Sequence, residues 1–391
     1  MNAQSTPVHI RLWHRDFWLM AIANFLLAMS VYLLVPTMPR WLLQQQGFSP
    51  LETGVAMAAF GFGLFSLGMF VSFLVQHYRR NAVCIWAVLA MAALIGLLYY
   101  LDTLQSQFCE LSLIVLQRFC LGAAFGLAQM VLTSTLIVDT SESFQRTEAN
   151  HSASWFSRFA LSLGPMAGLL IERLFDFDIV LLSAAGCAAV VALLILLVHF
   201  PFRAPQDDVS VVCLDRFFLP HGFPLFVNLP VIMLAVGILF STILAERFYA
   251  IMMAGFLLAI LAQRFVFRDA EVKSEVVSGL ILMSAALLML LTRTQPIVYI
   301  AAPAFVGFSL GIIGSRFLLF FIKLSRHCQR GTSQSTFLLG WESGIAWGLG
   351  IGIAFFYGDA TGALMTALAL SVVALVMYNF VHPWFVRNKN R

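Results

Sequence analysis

Long apolar segments, separated by short polar ones, recur along the whole chain. Segments long enough to cross about 30 Å of hydrocarbon fall near residues 17–39, 52–75, 82–101, 111–137, 151–171, 179–200, 225–243, 248–267, 276–292, 297–322, 336–357 and 361–385. The pattern therefore predicts an all-α polytopic membrane protein with twelve transmembrane helices. The break at Ala245-Glu246-Arg247 is short, and a merged seventh and eighth segment would give eleven helices instead.

The placement of basic residues tests this helix count. If both termini lie inside, the inner segments hold sixteen Lys and Arg residues and the outer segments hold four. Cytoplasmic loops of membrane proteins are enriched in Lys and Arg, and an eleven-helix count would move the basic C-terminal tail outside. The first apolar stretch is too long for a signal-peptide core and lacks a clear cleavage site, so we expect it to stay attached. Both termini are thus predicted to be cytoplasmic, with the chain in the plasma (inner) membrane.

The longest polar connection divides the helices into six and six. It predicts an N-terminal six-helix bundle at 1–200, a cytoplasmic linker at 201–224 and a C-terminal six-helix bundle at 225–391. No soluble domain is inserted between the apolar segments. Any chemistry must therefore occur within the helices or at their ends.

Composition narrows the function. Hydrophobic residues make up 61% of the chain and charged residues 11%, about half the charged share of a soluble domain. The six cysteines have no CxxC or metal-type spacing, and no nucleotide-binding, metalloprotease, serine-hydrolase or calcium-loop motif is present. We therefore predict a protein that is not an enzyme, needs no cofactor or metal and binds no nucleic acid. Its expected partners are the lipid bilayer and a small-molecule solute, and we expect a monomer.

The two halves of the chain echo each other, as expected for a transporter built from repeated bundles. The fourth segment contains Gly122-xxx-Gly126 and the tenth contains Gly307-xxx-Gly311. Trp155 precedes a charged residue in the fifth segment, and Trp341 does so in the eleventh. A pattern this loose can also arise by chance in glycine-rich membrane sequence.

Several motifs resemble those of the major facilitator superfamily at the corresponding helices. They are the end of the first helix, Pro36-Thr37-Met38-Pro39, the fourth-helix stretch Gln117-Arg118-Phe119-Cys120-Leu121-Gly122, and Leu163-Gly164-Pro165-Met166-Ala167-Gly168 in the fifth. The last is similar to the motif of the antiporter branch. The loop Gln76-His77-Tyr78-Arg79-Arg80 departs from the family pattern because it keeps the basic cluster without the acidic residue and the glycine. The resemblance therefore does not extend to the charge-relay gating associated with that loop.

The resemblance implies two pseudo-symmetric six-helix bundles that rock around a central cavity and expose it alternately to each side. The Pro-x-x-Pro and Gly-Pro motifs resemble those of drug and metabolite exporters, which implies proton-coupled export of a small amphipathic or anionic solute. Proton-coupled or facilitated uptake of a nutrient such as a sugar or peptide is the alternative. A non-transporting membrane scaffold or sensor is the alternative from another class.

Arg118 is the first candidate for proton coupling or for pairing with substrate charge. It lies about seven residues into a helix entering from the outside, about 10 Å below the boundary. Gly122 and Gly126 fall on nearly the same face, so the guanidinium should face the bundle, near a counter-charge, a helix carbonyl or water. The other interpretation is an arginine that snorkels to the outer surface and joins two helices.

Glu342 is the candidate proton carrier. It lies about nine residues into a helix that starts inside, near the middle of the membrane. The glycine stripe on this helix is at Gly340, Gly344, Gly348 and Gly352, and Glu342 points about 160° away from the flanking glycines. Removal from water favours the neutral form of a carboxyl group, which suits a group that binds and releases protons. A static ion pair or a hydrogen-bonded structural acid is the alternative.

Two further polar residues lie deep in apolar segments. Arg158 is expected to pair with Glu342, its counterpart in the repeat, or with an anionic substrate group, or to bond helix ends in a structural role. Asn24 could line the cavity or bond to a neighbouring backbone. His77, His151, His327 and His382 lie near predicted membrane boundaries, where we expect solvated surface roles.

The gate or hinge is assigned to five residues: Pro36, Pro39, Gly164, Pro165 and Gly168. The Gly164-Pro165 pair frees one backbone carbonyl and bends the helix. The bend could serve as a hinge or as a fixed seal in one conformation.

Overall fold

The computed structural model describes residues 11–103, 110–142, 144–200, 210–267, 271–326 and 329–390. Residues 201–209 of the predicted linker lie outside these ranges, as do His327 and two of the six cysteines, Cys109 and Cys328. The inner and outer sides of the molecule are those of the topology predicted from the charge placement.

Twelve long helices account for most of the described chain, which contains no strand. They are α1 (Arg15–Gln45), α2 (Pro50–His77), α3 (Arg80–Asp102), α4 (Leu111–Asp139), α5 (Arg146–Leu174), α6 (Phe177–Leu196), α7 (Pro220–Thr242), α8 (Glu246–Phe265), α9 (Val272–Thr292), α10 (Val298–Leu324), α11 (Arg330–Phe356) and α12 (Ala360–Asn388). The predicted all-α architecture of twelve helices is confirmed. Because α7 ends at Thr242 and α8 begins at Glu246, the eleven-helix alternative is wrong.

Helix α5 is the most polar of the twelve. The other eleven are long and apolar enough to cross a membrane by length and composition alone. Helix α5 carries charged and hydroxyl side chains along much of its length, yet it is helical over 29 residues, about 44 Å. Polar side chains on a helix of this length mark the place where the protein keeps polar groups inside the membrane.

The end of α1 differs from the prediction. Instead of ending at Pro39, the helix is interrupted by one turn residue at Leu33 and continues through a wider π-helical turn over Trp41–Gln45. The physical reason is that Pro36 and Pro39 have no N–H to donate to the carbonyls four residues earlier. Two backbone hydrogen bonds are therefore missing in this region. This leaves a loosened turn at Leu33, and the helix continues beyond it.

Glycines allow close helix packing at equivalent places in the two bundles. A Cβ added at Gly122 of α4 would overlap the carbonyl oxygen of Phe60 in α2. In the second bundle, Gly307 of α10 approaches the carbonyl oxygen of Met252 in α8 in the same way. The fourth helix thus packs on the second and the tenth on the eighth, which supports the twofold repeat inferred from the two glycine pairs.

The two bundles are packed together closely in the outer half of the membrane. A Cβ on Gly54 of α2 would lie 2.5 Å from the carbonyl oxygen of Gly350 in α11, and the reverse contact would be 2.6 Å. At another outer contact between the bundles, Arg173 at the end of α5 forms an ion pair with Glu246 at the start of α8. These contacts join the bundles on the outer side in this conformation.

The described part of the linker joins both bundles at the inner end. Arg216 Nη1 donates to Thr135 Oγ1 of α4 at 3.0 Å, and the Arg216 backbone N–H donates to Thr332 Oγ1 of α11 at 2.9 Å. The Thr332 hydroxyl in turn donates to Asp215 Oδ1 at 3.0 Å. Arg216 has a φ of 59°, a conformation uncommon outside glycine, so its side-chain and backbone contacts hold it in place. The exact limits of the two bundles and the linker stay a prediction.

The basic loop between α2 and α3 is joined to another helix by an ion pair. Arg80 forms an ion pair with Asp139 at the inner end of α4. The acidic residue that the loop lacks is thus supplied, for Arg80, by a neighbouring helix of the same bundle.

Candidate functional site

Glu342 lies where the second bundle faces the first, and two helices of the first bundle hydrogen-bond to it. The residue is 3% exposed. The Tyr32 hydroxyl of α1 donates to Glu342 Oε2 at 2.8 Å, and Gln129 Nε2 of α4 donates to Oε1 at 3.3 Å. Each carboxyl oxygen therefore contacts a different helix of the opposite bundle.

The glycine stripe of α11 explains this orientation. Gly344 packs against Pro230 and Met233 of α7, where an added Cβ would lie 2.6 Å from the Cβ of Met233. The other glycines of the stripe, Gly340, Gly348 and Gly352, meet the same helix. Because α7 occupies that face of α11, Glu342 points to the other side. The predicted direction of its side chain is confirmed.

Tyr32 is positioned by the residues predicted to form the gate. It is the last residue before the turn at Leu33, and it is 2% exposed. A Cβ added at Gly164 of α5 would lie 2.5 Å from the Cβ of Tyr32, and one at Gly168 would overlap the carbonyl oxygen of Leu33. The Gly-Pro motif of α5 therefore packs directly on the loosened turn that carries the hydrogen-bond donor to Glu342.

The predicted gate prolines lie at the same junction. Pro36 and Pro39 are both buried, three and six residues beyond Leu33 in α1. Pro165 lies within α5, which continues as a helix through it to Leu174. Gly164 and Gly168 thus lie at the contact between α1 and α5, and the α1 segment that contains both prolines packs on α5. The function of the five residues as a gate stays a prediction.

Arg158 lies at a second place where the bundles meet, between α5 and α10. It is 2% exposed, and its Nη2 donates to Ser154 Oγ at 2.6 Å. Its Nη1 is 3.5 Å from the carbonyl oxygen of Gly311 in α10, and its guanidinium carbon lies 4.5 Å from the Trp155 ring centre. The Nε atom is buried and has no hydrogen-bond partner among the described residues.

A glycine of α10 makes room for this arginine. A Cβ at Gly314 would lie 2.9 Å from the Trp341 ring and 3.1 Å from Arg158 Nε. Arg158 therefore lies near two tryptophans, Trp155 of the first bundle and Trp341 of the second. Planar guanidinium groups interact favourably with such aromatic surfaces.

The predicted pairing of Arg158 with Glu342 is wrong for this conformation. No ion pair joins these two described residues, and each has other partners. The physical reason is symmetry: residues related by a twofold repeat occupy equivalent places in different bundles and touch only if they lie on the axis. Arg158 contacts α10, whereas Glu342 contacts α1 and α4.

Arg118 faces the interior of the first bundle, as predicted from the glycines on its face. It is 3% exposed, and its guanidinium carbon lies 5.0 Å from the Phe60 ring centre. Its Nε and Nη1 are buried without a hydrogen-bond partner in the described ranges. The aromatic ring takes the place of the expected counter-charge or carbonyl. The structure does not bring Arg118 to Glu342, and its part in coupling stays a prediction.

Asn24 forms a helix-to-helix contact. Its Nδ2 donates to the carbonyl oxygen of Ala153 in α5 at 2.9 Å, and the residue is 1% exposed. This contact matches the alternative in which the side chain bonds to a neighbouring backbone. It fixes α1 against α5 about two turns below Tyr32.

Sequence reasoning missed four polar residues of the interior. Tyr32 and Gln129 were not candidates, although Tyr32 lies four residues before Pro36 and could have been suspected at a loosened turn. His151 does not have the solvated role expected for it, because its Nε2 lies 2.9 Å from Ser315 Oγ of α10. Glu275 of α9 is 1% exposed, and its Oε2 accepts a hydrogen bond from Arg316 Nε at 2.7 Å.

Comparison with known proteins agrees with this arrangement. The family model described as Major Facilitator Superfamily matches residues 20–349, well over half of the chain. The chain belongs to the Major Facilitator Superfamily. A search of curated proteins found no match.

Solved structures of superfamily transporters share the fold at low sequence identity. The nucleoside transporter NupG matches with a TM-score of 0.68 and 14% identity over 93% of this chain and 99% of that one. The peptide transporter PepTSo matches with a TM-score of 0.71 and 10% identity over 96% and 99%. The Escherichia coli fucose:proton symporter FucP matches with a TM-score of 0.61 and 17% identity over 93% and 98%. The protein is thus a multi-pass transporter of the Major Facilitator Superfamily.

Proposed function

We propose that this superfamily member is a proton-coupled secondary transporter that exports a small amphipathic anion by alternating access. The proposal depends on two separate buried charged residues at the interface between the bundles, Glu342 and Arg158. Glu342 joins α11 to α1 and α4, while Arg158 joins α5 to α10. Buried charges cost a few kcal/mol each in a membrane by insertion scales, so a passive scaffold would be destabilised by them without any gain.

Glu342 is proposed as the proton carrier, because protonation changes the bonds between the bundles. Tyr32 and Gln129 both donate hydrogen bonds to the carboxyl group. Hydrogen bonds to an ionised carboxylate are roughly twice as strong as those to a neutral group. Protonation of Glu342 therefore weakens the link between α11 and the first bundle and favours their separation. Loss of the proton restores the link.

Arg158 is proposed as the residue that binds the anionic group of the solute. Its Nε atom is buried without a partner, and no described acidic side chain forms an ion pair with it. Trp155 and Trp341 supply apolar surface beside the charge, which suits an anion with an apolar or aromatic part. Because Arg158 also contacts α10, a bound anion would lie where the two bundles move relative to each other.

The direction of transport is proposed from the Pro-x-x-Pro and Gly-Pro motifs, which resemble those of exporters. Uptake together with protons is the second candidate. It is favoured by the fold that the chain shares with the fucose:proton symporter FucP. The two candidates differ in the sign of the coupling. In export by exchange, protons move inward while the solute moves outward. In symport, protons and solute move in the same direction.

The proposal can be tested in two steps with purified protein. First, a panel of aromatic and aliphatic carboxylates and their neutral amides is screened by thermal shift, with wild type and Arg158→Met side by side. Carboxylates that stabilise only wild type are then used for flux in vesicles of known orientation with an imposed pH gradient. Efflux of the solute driven by inward proton movement supports export. Accumulation of the solute together with protons in right-side-out vesicles contradicts export and supports symport. Flux that does not depend on pH contradicts proton coupling.

A further inference from the structure

A cavity lies at the inner end of the second bundle, away from Glu342 and Arg158. Its volume is about 880 Å³, and it is lined by Thr147, Leu319, Ile322, Lys323, Ser325, Arg326, Arg330, Lys389 and Asn390. At about 1.5 Å per residue, Lys323 lies roughly 18 Å along α10 from Gly311, which Arg158 contacts. The cavity is therefore separate from the site proposed for transport.

The charged side chains among the described residues that line this cavity all have the same sign. Four of its lining residues are Lys or Arg, and none is acidic. None of the four forms an ion pair with a residue of the described ranges. Glu148, next to Thr147 in sequence, is exposed and does not line the cavity. Four positive charges around one cavity repel each other, and an anion bound among them would relieve this repulsion.

Asn390 is held at the cavity by hydrogen bonds. The Asn390 backbone N–H donates to the carbonyl oxygen of Lys323 at 2.9 Å. The Asn390 side chain donates to the carbonyl oxygens of Leu324 and Ser325, both at 3.0 Å. Three donors thus satisfy the carbonyls that end α10 and keep Lys389 beside Lys323. The cations are brought together by a fixed backbone contact.

The donor set fits a phosphate group, which offers more acceptor oxygens to several cations at once than a carboxylate does. Arginine binds phosphate oxygens through two parallel hydrogen bonds, and lysine adds a point charge. Helix α11 begins at Arg330, so the positive end of its dipole lies at the same cavity. Leu319 and Ile322 form an apolar wall next to these cations. Basic pockets between helices at the cytoplasmic side of a membrane bind the headgroups of anionic lipids.

We propose that this cavity binds a phosphate-bearing anion, provided either by the headgroup of an anionic phospholipid or by a soluble phosphate ester. The bound phosphate lies between Lys323, Arg326, Arg330 and Lys389. It joins the end of α10, the start of α11 and the end of α12, which otherwise repel each other there.

The test uses the purified full-length protein in an uncharged detergent. The probes are short-chain phosphatidylglycerol, short-chain phosphatidylcholine and glycerol phosphate, and the readout is the dissociation constant of each. The variant combines Lys323→Gln, Arg326→Gln and Lys389→Gln. The matched control combines Arg264→Gln, Lys273→Gln and Arg387→Gln, which remove three cations from the same side of the protein but outside the cavity.

Wild type and control are expected to bind phosphatidylglycerol more tightly than phosphatidylcholine. The cavity variant should lose roughly fivefold in affinity for each cation removed, on the order of 100-fold in all. Binding of phosphatidylglycerol without glycerol phosphate assigns the site to lipid, and equal binding of both assigns it to a soluble ester. Unchanged affinity in the cavity variant, or an equal loss in the control, would overturn the proposal. If the triple variant does not fold, Lys389→Gln alone, on an exposed residue, must show the single-cation loss.

Discussion

The hydroxyl of Tyr32 in α1 donates a hydrogen bond to the carboxyl group of Glu342 in α11, with 2.8 Å between the two oxygens. The residues come from different bundles and are both buried. Gly164 and Gly168 of α5 pack against the turn that carries Tyr32. Tyr32 therefore links the proposed proton carrier, Glu342, to the predicted gate motif of α5, although the two lie far apart in sequence.

Replacing Tyr32 by Phe is expected to alter the pH dependence of transport more than the fold. The change removes the donor to Glu342 Oε2 and leaves the ring in place, so an ionised Glu342 loses one of its two stabilising hydrogen bonds. The midpoint of the flux-against-pH curve should move to higher pH, because the neutral acid becomes relatively more favourable. Flux in reconstituted vesicles over a range of pH measures this shift. Tyr249→Phe, which removes the bond from another buried tyrosine hydroxyl to Ile243, is the matched control and should leave the midpoint in place.

Changes at Arg158 are expected to affect anion binding according to charge and shape. Arg158→Met removes the charge and should abolish the stabilisation of the protein by carboxylates. Arg158→Lys keeps the charge but not the planar donors that contact Ser154 and Gly311, so weakened binding is expected. Thermal shift with the same carboxylates measures both. If Arg158→Met bound them like wild type, the anionic group would have to be bound elsewhere.

A methyl group at Gly168 is expected to destabilise the contact between α1 and α5. An added Cβ would overlap the carbonyl oxygen of Leu33, and overpacking of this kind costs about 1–3 kcal/mol. Gly186→Ala on α6 is the control, since nothing lies within 4 Å of its added Cβ and alanine favours a helix. Thermal unfolding in detergent should show a lower midpoint for Gly168→Ala and an unchanged or higher one for Gly186→Ala. Equal midpoints would remove the steric argument for the gate.

The buried ion pair of Glu275 with Arg316 is expected to matter for stability, unlike the more exposed pair of Glu172 with Arg40. Glu275 is 1% exposed at its side chain, and its Oε2 lies 2.6 Å from Arg316 Nη2. Breaking a buried pair by removing one partner costs about 3–5 kcal/mol. A surface pair contributes about 0–1 kcal/mol, and Arg40 is 38% exposed at its side chain. Unfolding of Glu275→Gln and Glu172→Gln, measured side by side, should show a large and a small loss, and similar losses would contradict the assignment.

The twelve helices and the direction of the Glu342 side chain could be predicted from the sequence, because both follow from local periodicity. The glycine stripe at four-residue spacing identified the packed face of α11, and the opposite face had to meet other helices. The partner of Glu342 could not be predicted in this way. Tyr32 belongs to an apolar segment far away in sequence, and its position depends on a loosened turn and on two glycines of a third helix.

The predicted pairing of Arg158 with Glu342 failed for a related reason. A sequence repeat shows which residues of the two bundles are equivalent. Whether two such residues touch depends on where the bundles meet. Arg118 shows the same limit, since its face was predicted correctly but its neighbour, the Phe60 ring, was not. For His151, nearness to a membrane boundary suggested water, whereas the folded chain places Ser315 of α10 against it.

Flux through Glu342→Gln tests the central claim most directly. The glutamine keeps the size and the hydrogen-bond acceptor of the side chain but cannot carry a proton. With a carboxylate that stabilises wild type, two measurements are compared in the same vesicles: exchange of labelled for unlabelled solute without a gradient, and net transport driven by an imposed pH gradient. If Glu342 carries the coupled proton, the variant retains exchange and loses the gradient-driven transport. Gradient-driven transport equal to that of wild type would contradict the account.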